Sequence, residues 1–271
     1  MQNFVNSWLA EPWEDTKLKT TEDTVKERQT DLEEFVVPDY AKLLTGGVDV
    51  QENCMYWTIR AFGDFLTSQN IAHGQALSWR EIEDVMNAVY KKADGTQMIV
   101  ELALVDSGND TDNVYDFCVN NSDWAVPVKG SSHEMATYYR ISKIDKEGSK
   151  AYGMQLVIVD TDKYKDMIAG RMRRQNGRGA WMVYKGCDLE YAQQVTAEHK
   201  VSVRKNGKMT QKWEVKRSHA ENHYLDAEVY AMAAGDIRGI RYMHLQQEES
   251  KQEKQTESPE ENWINANERW L

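Results

Sequence analysis

Asp49 stands inside an apolar run from Leu43 to Gln51, where an unpaired carboxylate is costly to bury. A metal ion or another cation would relieve that cost. Asp106 closes a second apolar stretch that begins at Ile99, and Asp226 lies within a third, Asn222 to Ala231. Taken singly each has an ordinary reading: Asp49 could begin a turn, Asp106 could cap the following helix, and Asp226 could sit on a solvated helix face. Three acids on three separate elements point instead to a hard-cation site, whose oxygen ligands favour Mg2+ or Mn2+ over zinc. His223 and Asp226 are three residues apart, so a helix presents them on one face, with Asn222 on a neighbouring row. One imidazole with one carboxylate can address one metal and its water. A rival pairing is His219 with His223 at i, i+4, with Glu221 between them. In the zinc-hydrolase pattern the Glu directly follows the first His, which fails here, and no third soft ligand is near.

The elements that must position these groups can be read from periodicity. Leu43 to Gln51 and Cys54 to Phe62 read as two strands joined by a short turn at Glu52-Asn53, with a third strand in Asn70 to Leu77. Ser78 and Glu81 form a capping-box pattern for a helix through Lys92. Met98 to Val105 is apolar throughout and reads as a central parallel strand, so Asp106 emerges at the carboxyl edge where open α/β sheets bind ligands. A helix follows from about Thr111, and Trp124 to Val128 reads as a fifth strand ending at Lys129-Gly130. A strand parallel to the fourth would bring Lys129 to the edge of Asp106 as a phosphate contact; a solvated strand end is the competing reading. Ser131 to Ser149 reads as a polar loop, Tyr152 to Val159 as a strand, and Lys163 to Arg174 as a helix. His199 to Arg217 reads as a hairpin turning at Asn206-Gly207, and the Asp226 helix runs to about Gly235. A hairpin, a helix and then an acid-tipped strand open a ribonuclease H-like α/β fold, a mixed sheet flanked by helices.

Four ordered motifs carry a closer resemblance: Thr45-Gly46-Gly47-Val48-Asp49-Val50-Gln51; Val105-Asp106-Ser107-Gly108 with Val114-Tyr115-Asp116-Phe117-Cys118 behind it; Val128-Lys129-Gly130; and Asn222-His223-Tyr224-Leu225-Asp226. Together they resemble the nuclease half of the large terminase subunit of tailed phages, in the lambda-like group, over about Phe4 to Ala234. The resemblance implies a metal-dependent endonuclease that cuts concatemeric viral double-stranded DNA during genome packaging in the host cytoplasm. The site residues expected are Asp49, Asp106 and Asp226 as holders of two Mg2+ or Mn2+ ions, His223 as a water-orienting group and Lys129 on the phosphate. Partners implied are an ATPase motor portion, a small terminase subunit and a portal protein. No phosphate-binding GxxxxGK[ST] loop occurs in the chain, so the motor is expected to be absent from it. Asp110 stands where the family pattern leads us to expect a His, and Asp110, Glu101, Asp112 and Glu228 are open as further ligands. A Holliday-junction or transposase-type nuclease of the same fold, and a non-catalytic packaging adaptor, are the alternatives.

A net charge of −11 argues at first against DNA binding, because polyanion affinity comes from Lys and Arg. The acidity is concentrated at the ends. Residues 1–40 carry ten acids against four bases and residues 246–271 seven against three, leaving the middle with 27 acids and 26 bases. Two basic stretches stand out there: Thr161 to Arg178, with Arg171, Arg173 and Arg174, and the hairpin, with Arg204, Lys205 and Lys208. Against an acidic background they read as a DNA backbone-tracking surface, with Trp213 packing on sugar or merely filling space. Three cysteines, Cys54, Cys118 and Cys187, lack paired spacing, so neither a disulfide framework nor a zinc ribbon is expected. No run has the apolar length of a membrane span. Residues 1–40 are expected as a linker or docking arm with a helix near Asp23 to Phe35, 41–245 as the nuclease domain, and 246–271 as a disordered tail with terminal aromatics at Trp263-Ile264 and Trp270-Leu271.

Overall fold

The computed structural model describes residues 13–14, 20–205 and 208–245. In chain order its elements are β1 (Trp13–Glu14), α1 (Glu22–Lys26), β2 (Val36–Val37), β3 (Leu43–Val50), β4 (Met55–Phe62), β5 (Ser68–Ala76), α2 (Trp79–Met86), β6 (Tyr90–Lys92), β7 (Gln97–Met98) and β8 (Val100–Asp106). There follow α3 (Thr111–Asn120), β9 (Ala125–Gly130), β10 (Tyr139–Lys143), β11 (Gln155–Val159), α4 (Thr161–Met172), β12 (Trp181–Val183), α5 (Leu189–Val195), β13 (Glu198–Lys205), β14 (Lys208–Val215) and α6 (His223–Ile237). The main sheet has eight strands in the order β10-β11-β9-β8-β3-β4-β5-β12. β11, β9, β8 and β3 run parallel, and β3, β4 and β5 form an antiparallel meander. Helices cover both faces, which is the ribonuclease H-like arrangement the sequence implied.

Strand β8 shows why its sequence is apolar without alternation. Leu102 and Leu104 enter the core on one face, with α4 and α6, while Ala103 and Val105 enter the core on the other, with Ile82 of α2 and Val114 and Phe117 of α3. Asp106, at the tip, and Glu101, near the start, escape this double burial.

The docking of α6 on the sheet fixes the site. Four helical residues rise about 6 Å and two strand residues advance about 6.6 Å, so rows spaced by four on a helix can match alternate residues on a strand. His223, Ala227 and Ala231 lie over Asp49, Gly47 and Thr45 of β3: His223 Nδ1 is 2.9 Å from Asp49, and Thr45 Oγ1 donates to the Ala231 carbonyl at 2.7 Å. Tyr224 and Glu228 lie over β4, against Tyr56 and against Thr58 and Arg60. Tyr230, on the row of Asp226, reaches Asp106 at the tip of β8. Gly47 makes this approach possible, because a Cβ there would stand 1.9 Å from the Ala227 carbonyl oxygen and 2.6 Å from the Ala231 nitrogen. Gly47→Ala is therefore expected to push α6 off the sheet, lowering stability by about 1–3 kcal/mol or more and abolishing any activity that needs Asp49 and Asp226 together. Thermal unfolding measured beside cleavage checks it; a Gly47→Ala protein of unchanged melting temperature would contradict the packing argument.

Several elements differ from the sequence reading. The expected loop at Ser131 to Ser149 contains β10, which pairs antiparallel with β11 and forms one edge of the main sheet. Its Arg140 and Lys143 are exposed and polar, which disguised the strand and protects the open edge. The capped helix from Trp79 ends at Met86, after which Tyr90–Lys92 joins a small sheet with β2 and β7. The expected helix from Asp23 to Phe35 is one turn, α1, and the chain then pairs Gln29 with Val183. Residues 20–40, expected as an arm, pack on the body: Val25 and Val37 are buried. β12 and α5 went unread. The terminal-aromatic tail, residues 1–12 and 15–19 of the N-terminal arm, and the Asn206-Gly207 turn lie outside the described residues.

Candidate carboxylate site

Register brings the acids together. Val48 of β3 pairs with Val105 of β8, so the next residues, Asp49 and Asp106, stand side by side at the carboxyl edge of two parallel strands. The first turn of α6 adds Asp226. Asp49 is 3% exposed, and its Oδ2 accepts from Gln51 Nε2 at 2.7 Å and from His223 Nδ1 at 2.9 Å. Asp106 accepts from the Gly108 backbone N–H at 3.1 Å and from the Tyr230 hydroxyl. Asp226 accepts from Asn222 Nδ2 at 3.0 Å, and its Oδ1 lies 3.2 Å from the Lys165 ammonium.

The electrostatics show an excess of negative charge. Burial, then the charge of Asp49, pushes the Asp106 carboxyl up to about 6, against the opposing Gly108 hydrogen bond. Burial likewise pushes Asp226 up to about 6; Lys165 opposes this, while Asp49 and Glu198 add to it. The hydrogen bond to Asp49 raises the His223 pKa against the opposing effect of burial. Burial alone would lower Lys165, but Asp226 and Glu198 outweigh it and the ammonium is held charged. Such a set of oxygen donors short of positive charge fits a hard divalent ion. Among the described residues no three His, Cys, Asp or Glu side chains are already gathered as a ligand set.

The zinc pairing fails on conformation. His219 lies in a turn with φ 64° and α6 begins at His223, so the two imidazoles share no helical face. Glu228 is not a metal-facing acid either: it is fully buried, bonded to Arg60 Nε at 2.6 Å, Thr58 at 2.7 Å and Tyr191 at 2.6 Å. Glu101 is exposed on the strand, Asp112 pairs with Lys146, and Asp110 accepts from Asn113 at 2.8 Å. Lys129 sits one residue past Val128, the partner of Asp106, so strand alternation turns its side chain to the other sheet face.

The basic stretches separate. Lys165, near the start of α4, reaches the site, whereas Arg171, near its end, donates to the carbonyls of Phe65 and Gly179 beside the start of β5, the opposite sheet edge. Arg173 and Arg174 follow it and are exposed there. The hairpin has its root at the site through Glu198, which accepts from Lys165 and from Asn222, each at 2.7 Å. Arg204 is exposed farther along; the side chains of Lys205 and Lys208 lie outside the described residues. Trp213 does more than fill space: its Nε1 donates to Asp166 at 2.9 Å, beside the Lys200 ammonium. Sequence reading missed Lys165, Glu198, Gln51 and Tyr230. Lys165 was hidden in a basic count, although Tyr230 could have been found one helical turn after Asp226.

The chain is similar to known proteins over most of its length. Residues 1–249 match the family described as terminase large subunit gpA, endonuclease domain. The chain is 29% identical over 252 residues to the terminase large subunit of Enterobacteria phage P21, and 26% identical over 257 residues to that of Escherichia phage lambda. Each alignment covers 86% of this chain and 38% of the relative, so the chain spans well under half the length of those proteins. No solved structure matches. No described helix is long and apolar enough to cross a membrane. With all but its last residues matched, the chain belongs to the family of terminase large subunit gpA endonuclease domains.

Proposed function

We propose that this chain is a divalent-metal-dependent endonuclease that cuts double-stranded viral DNA, in concatemeric form, during genome packaging. The observation that carries the reading is the convergence of Asp49, Asp106 and Asp226 at one sheet edge, with two of the three carboxyls pushed up to about 6. Asp49, Asp106 and Asp226 would hold Mg2+ or Mn2+, which when bound supplies an activated water and stabilises charge on the leaving 3′ oxygen. The chain's own groups do the rest. Gln51 and His223 fix Asp49, Tyr230 and Gly108 fix Asp106, and Asn222 fixes Asp226. His223, stacked on Tyr56 with ring centroids 4.6 Å apart and held by Asp49 through Nδ1, would orient a water at the edge of Asp49. An ATPase motor portion, a small terminase subunit and a portal protein complete the machine in this reading.

Linear duplex and a four-way junction offered with Mn2+ and with EDTA separate the alternatives. Cutting of the duplex in Mn2+ alone is expected. Preference for the junction would favour the Holliday-junction class, and no cutting of either would favour the adaptor.

The basic hairpin is the proposed backbone-tracking surface, since its root touches the site. Replacing Arg204, Lys205 and Lys208 together by Ala is expected to weaken binding to all sequences alike and to flatten the log-log salt dependence by about 0.9 for each phosphate no longer neutralised. Binding titrations at several salt concentrations check it; an unchanged slope would move the DNA surface elsewhere. With a near-neutral middle and no major-groove recognition helix among the described residues, the chain alone is expected to cut slowly and with little sequence preference.

A further inference from the structure

The Lys165 ammonium occupies the kind of position a cation takes. It lies 2.7 Å from Glu198 Oε1 and 3.2 Å from Asp226 Oδ1, and Asn222 Nδ2 bridges the same two carboxylates at 2.7 and 3.0 Å. The Lys165 and Glu198 side chains are only 9% and 6% exposed. A lysine so enclosed, with two carboxylates on its ammonium, is not available to meet a DNA phosphate. Nor can it readily swing away. It sits in the first half of α4, between the fully buried Tyr164 and the buried Ile168, and the next residue, Asp166, is tied to the hairpin by Lys200 and Trp213.

We propose that Lys165 is a resident cation of the carboxylate cluster, filling the place between Asp226 and Glu198, so that the cluster takes one exchangeable divalent ion rather than two. The inference rests on reading the cluster as a divalent-metal centre, and it revises the pair of ions implied by the sequence resemblance. Like charges repel strongly at such separations, so a second divalent ion could enter that place only by expelling the ammonium. Asp49 and Asp106, with the remaining oxygen of Asp226, are then left for the single exchangeable ion. Glu198 becomes a positioning residue: it holds the ammonium, which in turn holds Asp226. It also joins the root of the basic hairpin to the site.

Mn2+ binding by the full chain, counted by electron paramagnetic resonance of the free ion and by calorimetry, tests this without any cleavage assay. One ion per wild-type chain is expected, lost in Asp49→Asn. Lys165→Ala is expected to bind two, and Lys165→Ala with Glu198→Gln to return to one, a pattern that a merely structural lysine would not produce. Two cluster ions in the wild-type chain would overturn the proposal and leave the metal-centre reading standing. No bound ion would overturn both. The wild-type count decides even if Lys165→Ala fails to fold, and a folded Lys165→Ala that still binds one ion overturns the proposal as well.

Discussion

Replacing Asp49, Asp106 or Asp226 by Asn is expected to slow DNA cleavage by about a thousandfold or more, about 4 kcal/mol of transition-state stabilisation, while the metal-free proteins stay folded. The stability side follows from the same charges. Asp106 and Asp226 have an ordinary value of 3.8 and are pushed to about 6 in the fold. Between those values the folded state binds more protons than the unfolded one, so stability falls as pH rises from about 4 to about 6 and then levels off. That loss should be on the order of a few kcal/mol in the metal-free wild type and smaller in Asp106→Asn or Asp226→Asn. His223 adds a second decline: its raised pKa contributes stability that is full below about 6.5 and is lost as pH rises through the folded value. Denaturation across pH in EDTA, beside plasmid cleavage in Mn2+, checks both halves. A variant that cuts at the wild-type rate removes that residue from the site, and a metal-free wild type whose stability is flat from pH 4 to 6 contradicts the electrostatics.

The largest effect on stability is expected at Glu228 and Arg60. Both side chains are fully buried, joined at 2.6 Å, with Arg60 stacked 4.4 Å from the Trp181 ring and donating to Ser68. Glu228 also accepts from Thr58, Asn70, Tyr191 and Trp181, which tie α6 to β4, β5, β12 and α5. Burial alone would raise its pKa, but Arg60 and these donors hold it low. Removing one partner leaves an uncompensated buried charge, so Arg60→Met or Glu228→Ala should cost about 3–5 kcal/mol. Because Glu228 faces away from Asp49 and Asp106, any Glu228→Ala protein that folds at low temperature should still bind a divalent ion. Equilibrium unfolding with a Mn2+ titration checks this, and failure of a folded variant to bind the ion would place Glu228 in the site after all.

What could be read from the sequence follows from how local each cause is. Asp49 and Asp106 were legible because each interrupts or ends an apolar strand, and strand order alone puts their tips at one edge. Asp226 was legible because its helix is apolar around it. Glu228 was not resolved from those neighbours: a buried acid and a metal-bound acid look alike until Arg60, 168 residues away, is seen beside it. Lys165 and Glu198 are likewise distant in sequence and meet only because α4 and the hairpin root converge on α6. Lys129 was misplaced by one residue of strand alternation, and a strand's pairing register is a tertiary property. The Gly46-Gly47 pair held a signal that went unused, since glycine inside a buried strand marks close backbone approach.

The most direct measurement is the anomalous diffraction of crystals soaked in Mn2+. The account predicts density bounded by the carboxylates of Asp49, Asp106 and Asp226, absent from Asp49→Asn crystals soaked in the same way. Mn2+ density elsewhere, such as beside His219 and Glu221, with none at the carboxylates, would contradict the assignment of this edge as the metal centre.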